Sequence, residues 1–391
     1  MIDVAGILKG VATFRDNGHA TVAQLSRAYG RATLDRVRGL PAIAGKYEQL
    51  VCDAPAVLAR SGVECWSPAF GRANELAAGS VELHPLAFTQ AVLALAGLGW
   101  SGDATLNVGA GGTLLLQHFQ VRVNGTVVIT SRDGRIDIIS DGDVMHFERK
   151  SKELYLVNAP IAVQSSTFGI PITFGYAIDP ELVRPSDIPI NESGMAAAKQ
   201  SIEAAIDLLS ELGSGAVSWV LQAVRQISAV GANSSHGFVG RSVSMRPGHI
   251  VTSAPHHPVL IAETLVHESS HQMFNLCRCL GPYVRDGGGD RMFCSAINGR
   301  QRTIDRVALA LHAMANMYML FDEIVASEHE YSEIARARLR NFSQVALSLA
   351  RTVSEEMELF TDLSREFIEN IVDVTLMIHG KHHLDNAEVL C

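Results

Sequence analysis

Long apolar runs are missing from this 391-residue chain; stretches such as Ala91–Trp100 fall well short of the roughly 20 residues that a bilayer span needs. The opening residues Met1–Ala5 lack the basic segment and apolar core of a secretory leader. Both absences point to a cytoplasmic protein with no membrane partner. Positive charge is also short, with 32 Lys and Arg against 41 Asp and Glu and a formal charge of -9. A nucleic-acid binder would normally carry a basic face, and Arg241 and Arg246 alone make a thin one, so no nucleic-acid partner is expected. Six cysteines are too few for the disulfide framework of a secreted domain. Three of them, Cys277, Cys279 and Cys294, sit close together in sequence. The spacing of Cys277 and Cys279 is too tight for an ordinary zinc knuckle, so they read as small buried side chains. No low-complexity tract appears, and 47% of residues are hydrophobic, enough for a large core or several packed together.

What is present falls into three regions: a helical one over 1–104, an antiparallel β-sheet over 105–190, and a second helical one over 191–391. From Thr21 to Trp100 the apolar spacing is helical, with Leu25, Leu34, Val37, Leu40, Leu76 and Phe88 as core candidates. Pro41, Pro55, Pro68 and Pro85 divide this part into short helices. Near Asn107 the pattern changes to short segments of strand-forming residues: Thr113–Gln117, Phe119–Val123, Thr126–Ser131, Ile136–Ile139 and Val144–Phe147. Leu154–Val157, Ile161–Ser165 and Ile172–Tyr176 continue it. Asn124-Gly125 and Asp133-Gly134 between them are hairpin signals. Beyond Asn191 the spacing predicts helices over Met195–Leu212, Val217–Val230, 258–279, 302–327, 330–359 and Leu363–Ile378, with a Gly, Ser and His-rich loop from Gly231 to Pro255. Helix, sheet, helix is an α+β arrangement rather than a jelly roll.

The chemistry concentrates in His267-Glu268-Ser269-Ser270-His271. Pro258 suits the first turn of a helix and Gly281-Pro282 stops it. On that helix His267 and His271 are four apart, so both imidazoles project from one face and can grip one divalent ion. Glu268 stands about 100° round the helix, placed to approach a metal-bound water without being a ligand. The bland alternative is a pair of core histidines. Two histidines do not complete a site, and residues Phe274 and Cys277 exclude the longer pattern that supplies a third histidine on the same segment. His312, in the apolar run Val307–Ala315, is the favoured third ligand, since a buried imidazole needs a polar partner or a metal. Glu323 and Asp290 are the alternatives, on a stretch that also offers Asp305 and Asp322. Arg300 and Arg302, at the start of the next helix or in the loop before it, could hold a carboxylate in a bidentate contact.

With these residues in hand, the chain resembles the HExxH-motif peptide-modification proteins, regarded as 2-oxoglutarate-dependent peptide β-hydroxylases. The resemblance rests on Ala262–His271, then Ser295–Arg302, then Leu311-His312-Ala313. It covers about 255–325, and it departs from the family where Met292–Ile297 replaces an aromatic-Ser-Pro-Trp-Arg sequence and where Ala313 replaces a common Gly. The resemblance implies Fe(II) held by His267, His271 and His312, with Arg302 on a cosubstrate carboxylate and Glu268 in the site. It implies hydroxylation of a β-carbon in a peptide or carrier-protein-bound amino acid, with succinate and CO2 as coproducts, in bacterial natural product biosynthesis. Ligand identity alone suits Zn(II) as well as iron. The alternatives are therefore a zinc-dependent peptide hydrolase with Glu268 as general base, and a nonenzymatic metal-stabilised binding module.

Overall fold

The computed structural model describes residues 8, 11–15, 19–40, 48–62, 64–116, 119–140, 142–150, 153–156, 164–165, 172–176, 187–188, 190–213, 215–231 and 239–388. Among the described residues, the leading elements are the helices α1 (His19–Arg38), α2 (Glu48–Arg60), α3 (Pro68–Ala78) and α4 (His84–Gly97). Proline sits in the first turn of α3 and α4, where its missing N–H costs no hydrogen bond. Nearly every side chain of α4 is buried, because α4 lies between α3 and the first sheet.

That sheet is an antiparallel meander of β1 (Gly102–Leu116), β2 (Phe119–Arg132), β3 (Arg135–Ser140), β4 (Asp143–Lys150) and β5 (Glu153–Leu156). Asp133-Gly134 turns β2 into β3 as expected, with φ of 52° and 79°, the paired positive values of a tight hairpin turn. Asn124-Gly125 does not turn the chain. It lies inside β2, where Gly125 faces Gly109 at a register shift of the β1–β2 ladder. Both glycines have positive φ, so the dipeptide serves an irregularity in a long strand pair and not a turn.

A second sheet was not anticipated. Its order is β6 (Gln164–Ser165), β7 (Ile172–Tyr176), β8 (Gln226–Val230), β10 (His249–Ser253) and β9 (Gly240–Ser242), with β7, β8 and β10 parallel and the two edge strands antiparallel. Helices α5 (Glu192–Glu211) and α6 (Ala216–Ala223) cross over between β7 and β8. The expectation of one helix over Val217–Val230 is thus corrected: α6 ends at Ala223 and β8 begins three residues later. Every residue of β8 and β10 is buried. Five of their ten residues, Gln226, Ser228, His249, Thr252 and Ser253, are polar, so runs this short carry no hydropathy pattern that marks them as buried strands. The expectation of a loop through Gly231–Pro255 is corrected likewise by β9 and β10.

The remaining helices lie where the spacing placed them, except that the last runs ten residues past the expected end at Ile378. They are α7 (Pro258–Cys277), α8 (Ile304–Ala326), α9 (Ser332–Glu355) and α10 (Asp362–Glu388), with a small hairpin of β11 (Met292–Cys294) and β12 (Gln301–Thr303) before α8. One buried apolar cluster runs from Leu8 and the leading helices through the meander to α7, α8 and α10. No described helix is long and apolar enough to cross a membrane.

Candidate metal centre

α7 begins at Pro258, and the Nδ1 atom of His257 accepts the otherwise free N–H of Val259 at 3.3 Å. The helix is packed by α5, α6 and α8 and is overlain by β9 and β10. That burial holds the histidine pair in place. The rings of His267 and His271 lie edge to face with centroids 4.5 Å apart. His267 keeps 34% of its side chain exposed and Glu268 only 5%, so the pair opens to solvent on the His267 side.

Glu268 is fixed from β9. Its Oε2 accepts from the Ser242 hydroxyl at 2.6 Å, and its Oε1 is 3.9 Å from His267 Nε2. β9 can lie this close because residue 240 is glycine: a Cβ there would stand 2.6 Å from Thr264 Cγ2 and 3.2 Å from Glu268 Oε1. Burial raises the Glu268 pKa above the usual carboxylate value, against the opposing pull of His267, Ser242 and Arg241. Arg241 itself points to the other side of β9 and forms a bidentate pair with Asp187.

His271 has its pKa lowered well below the ordinary imidazole value, first by burial, then by His267, His312, Arg306 and Arg302. Its Nδ1 is buried and has no hydrogen-bond partner among the described residues. A neutral imidazole is the form that binds a metal, so the surroundings favour the ligand state. Arg302 lies on β12 opposite Phe293, so it enters from a hairpin and not from the straight start of α8. Arg300 is exposed at the foot of the turn of that hairpin, and its carbonyl accepts from the Ser295 N–H. Arg306, which the sequence reading passed over, lies in the first turn of α8, four residues after Arg302, and is exposed.

His312 is fully buried among Trp219, Phe274 and Phe367. Its Nε2 is 2.8 Å from the Ala12 carbonyl, which requires the proton on Nε2 and leaves Nδ1 as the lone-pair nitrogen. Nδ1 has no hydrogen-bond partner among the described residues. Burial lowers its pKa to about 4, opposed by the carbonyls of Ala12 and Ser270. Glu323 accepts from Arg15 Nε at 2.8 Å, about 16 Å along α8 from His312. Asp290 is exposed in a short turn, and Asp305 accepts from Thr303 and stands 3.6 Å from Arg278.

The residues present therefore fit a metal ion in part. Two imidazoles and a neighbouring carboxylate come together, while no three His, Cys, Asp or Glu side chains among the described residues are grouped closely enough to hold an ion. The expectation of small buried cysteines holds for Cys277 and is corrected for Cys279 and Cys294, which are exposed. The signal that sequence reading missed is Ser242 and Gly240, since neither residue type announces a role until β9 is laid on α7. Searches against protein-family models and curated proteins return no match to this chain.

Proposed function

We propose that His267 and His271 hold a mononuclear metal and that the protein is a metal-dependent enzyme acting on a peptide or carrier-bound amino acid. The observation that carries this reading is the edge-to-face imidazole pair, one ring half-exposed, beside a buried carboxylate. His312 would join through Nδ1, the nitrogen that the Ala12 carbonyl leaves free.

The chemistry proposed is Fe(II)- and 2-oxoglutarate-dependent hydroxylation of a β-carbon. With iron and 2-oxoglutarate bound, O2 would be the oxidant: 2-oxoglutarate would lose CO2 and take up one oxygen atom as succinate, and the other oxygen atom would enter the C–H bond as the hydroxyl. The guanidinium groups of Arg302 and Arg306, both felt electrostatically by His271, support it because they favour an anionic cosubstrate there. The buried Glu268 carboxylate would shape the pocket and exclude water. A second reading, zinc-dependent peptide hydrolysis, is favoured by that same carboxylate, whose raised proton affinity suits a general base.

Metal content after anaerobic purification, measured in wild type, His267→Ala, His271→Ala and His312→Ala, tests the centre. Loss of either first-named imidazole lowers metal affinity by more than the roughly 10–100-fold that losing an outer-shell partner costs. Normal iron and zinc retention in both variants would end the metal reading. Succinate formed from 2-oxoglutarate with Fe(II), against peptide cleavage with Zn(II), separates the two chemistries. In the hydrolase case Glu268→Gln keeps metal and loses roughly 10²–10⁴ in rate.

A further inference from the structure

β9 is the terminal strand of the second sheet, and its ladder shows which of its backbone groups are spent. Val239 accepts from the Ser253 N–H at 2.8 Å, and the register pairs Arg241 with Val251. In an antiparallel pair the residues that exchange bonds alternate. Val239 and Arg241 therefore face β10, whereas the N–H and C=O of Gly240 and Ser242 point away from it. On the other side of β10, the Ala254 N–H bonds the Val230 carbonyl on β8, which is the same alternation carried one strand further. Gly240, Arg241 and Ser242 are all half-exposed.

The same alternation sets the faces. The Ser242 side chain and the open Cβ position of Gly240 look toward α7, where Glu268 lies, while the Arg241 side chain looks the other way to Asp187. Among the described residues no strand pairs with this edge, which runs directly above the proposed metal helix.

We propose that an extended peptide segment binds by adding a strand to the Gly240–Ser242 edge. Strand addition draws its affinity from main-chain bonds and its selectivity from alternate side chains. Residues opposite one another on paired strands project to the same face. The guest residue bonded to Ser242 consequently directs its β-carbon to the face that holds Glu268 and His267. What then happens to that β-carbon rests on the metal reading above. The docking itself does not, because its bonds come from β9 alone.

The test uses metal-free full-length protein, prepared with a chelator, and a pool of end-blocked decapeptides with randomised central residues. Residue-resolved amide exchange is the readout. The expected result is fast exchange at Gly240 and Ser242 in the free protein and slowing of about tenfold or more at both with peptide present. Arg241, already bonded to Val251, shows no change. Ser242→Pro removes the outward N–H without breaking a ladder bond and abolishes the protection at Gly240. Ser242→Ala, which keeps the N–H, preserves it. Pool members re-synthesised with N-methyl groups at alternate positions lose binding in one phase and keep it in the other, a result that does not depend on any variant folding. No protection at Gly240 and Ser242, equal binding of both N-methyl phases, or undiminished binding to a folded Ser242→Pro protein would each overturn the proposal. Repeating the measurement with His267→Ala and His271→Ala separates the two ideas. Peptide protection that survives there stands without the metal, and protection that vanishes there assigns the peptide to the histidine pair and removes it from the edge.

Discussion

Burial acts on Glu268 and His312 in opposite senses, and each leaves a pH signature. The Glu268 pKa is raised in the folded protein, so the native state favours its proton and bears the cost of ionisation as pH rises above the unfolded value. Glu268→Gln removes that cost and can still accept from Ser242. The variant is expected to melt above wild type at pH 8 and to lose this advantage near pH 4, in metal-free protein followed by circular dichroism. For His312 the folded pKa is lowered to about 4 from 6.5. Its contribution is fully present above pH 6.5 and declines as pH falls toward 4, by up to about 3 kcal/mol. Urea melts of His312→Gln between pH 7 and pH 4.5 should show a shallower decline than wild type. Equal slopes would mean that the imidazole titrates alike in the folded and the unfolded chain.

At the scale of elements, the contact between β9 and α7 depends on a missing side chain. Gly240→Ala places a methyl 2.6 Å from Thr264 Cγ2, so strand and helix must separate. The expected loss is about 1–3 kcal/mol, with the Ser242–Glu268 bond weakened at the same time. Thr264→Ser deletes the clashing methyl, and the double variant should recover most of the loss in denaturant melts. Additive losses would place the strain elsewhere. This contact also marks how far the sequence could be read. α7 was legible because Pro258, the apolar spacing and the Gly281-Pro282 stop all agree, and His267 and His271 then share a face by geometry alone. β8 and β10 were not, because their five-residue buried runs carry no period. Without them β9 has no neighbour, and Gly240 and Ser242 look like residues of a polar loop. Asn124-Gly125 misled for a related reason: the positive φ it supplies serves a bulge as well as a turn. Arg302 was placed in the right segment, but the β11–β12 hairpin that carries it has strands of only three residues and little patterning.

Across the whole molecule, the first described residues pack against a helix near the other end of the chain. The Phe14 N–H bonds Asn316 Oδ1 at 3.1 Å, Ala12 receives His312, and Arg15 pairs with Glu323. Leu8, Val11, Ala12 and Phe14 are each at most 3% exposed. Deleting residues 1–15 removes these apolar contacts and leaves Asn316 and His312 without partners from that segment. A loss of roughly 4 kcal/mol or more is expected in urea melts, well above the cost of trimming a frayed end. A change under about 1 kcal/mol would show that the segment contributes little to folding.

The bond from Phe14 to Asn316 also spans 302 positions of chain. At a synthesis rate of about 5–20 residues per second, the partner helix is made roughly 15–60 s after Phe14. During that interval Ala12 and Phe14 lack their partners His312 and Asn316, and the leading segment waits unseated. The segment is therefore open to chaperones and proteases while the chain is still on the ribosome, and it closes only when α8 has emerged. A protease pulse on stalled nascent chains should cut near residue 15 when the stall precedes α8, and should spare that site once α8 is clear of the exit tunnel.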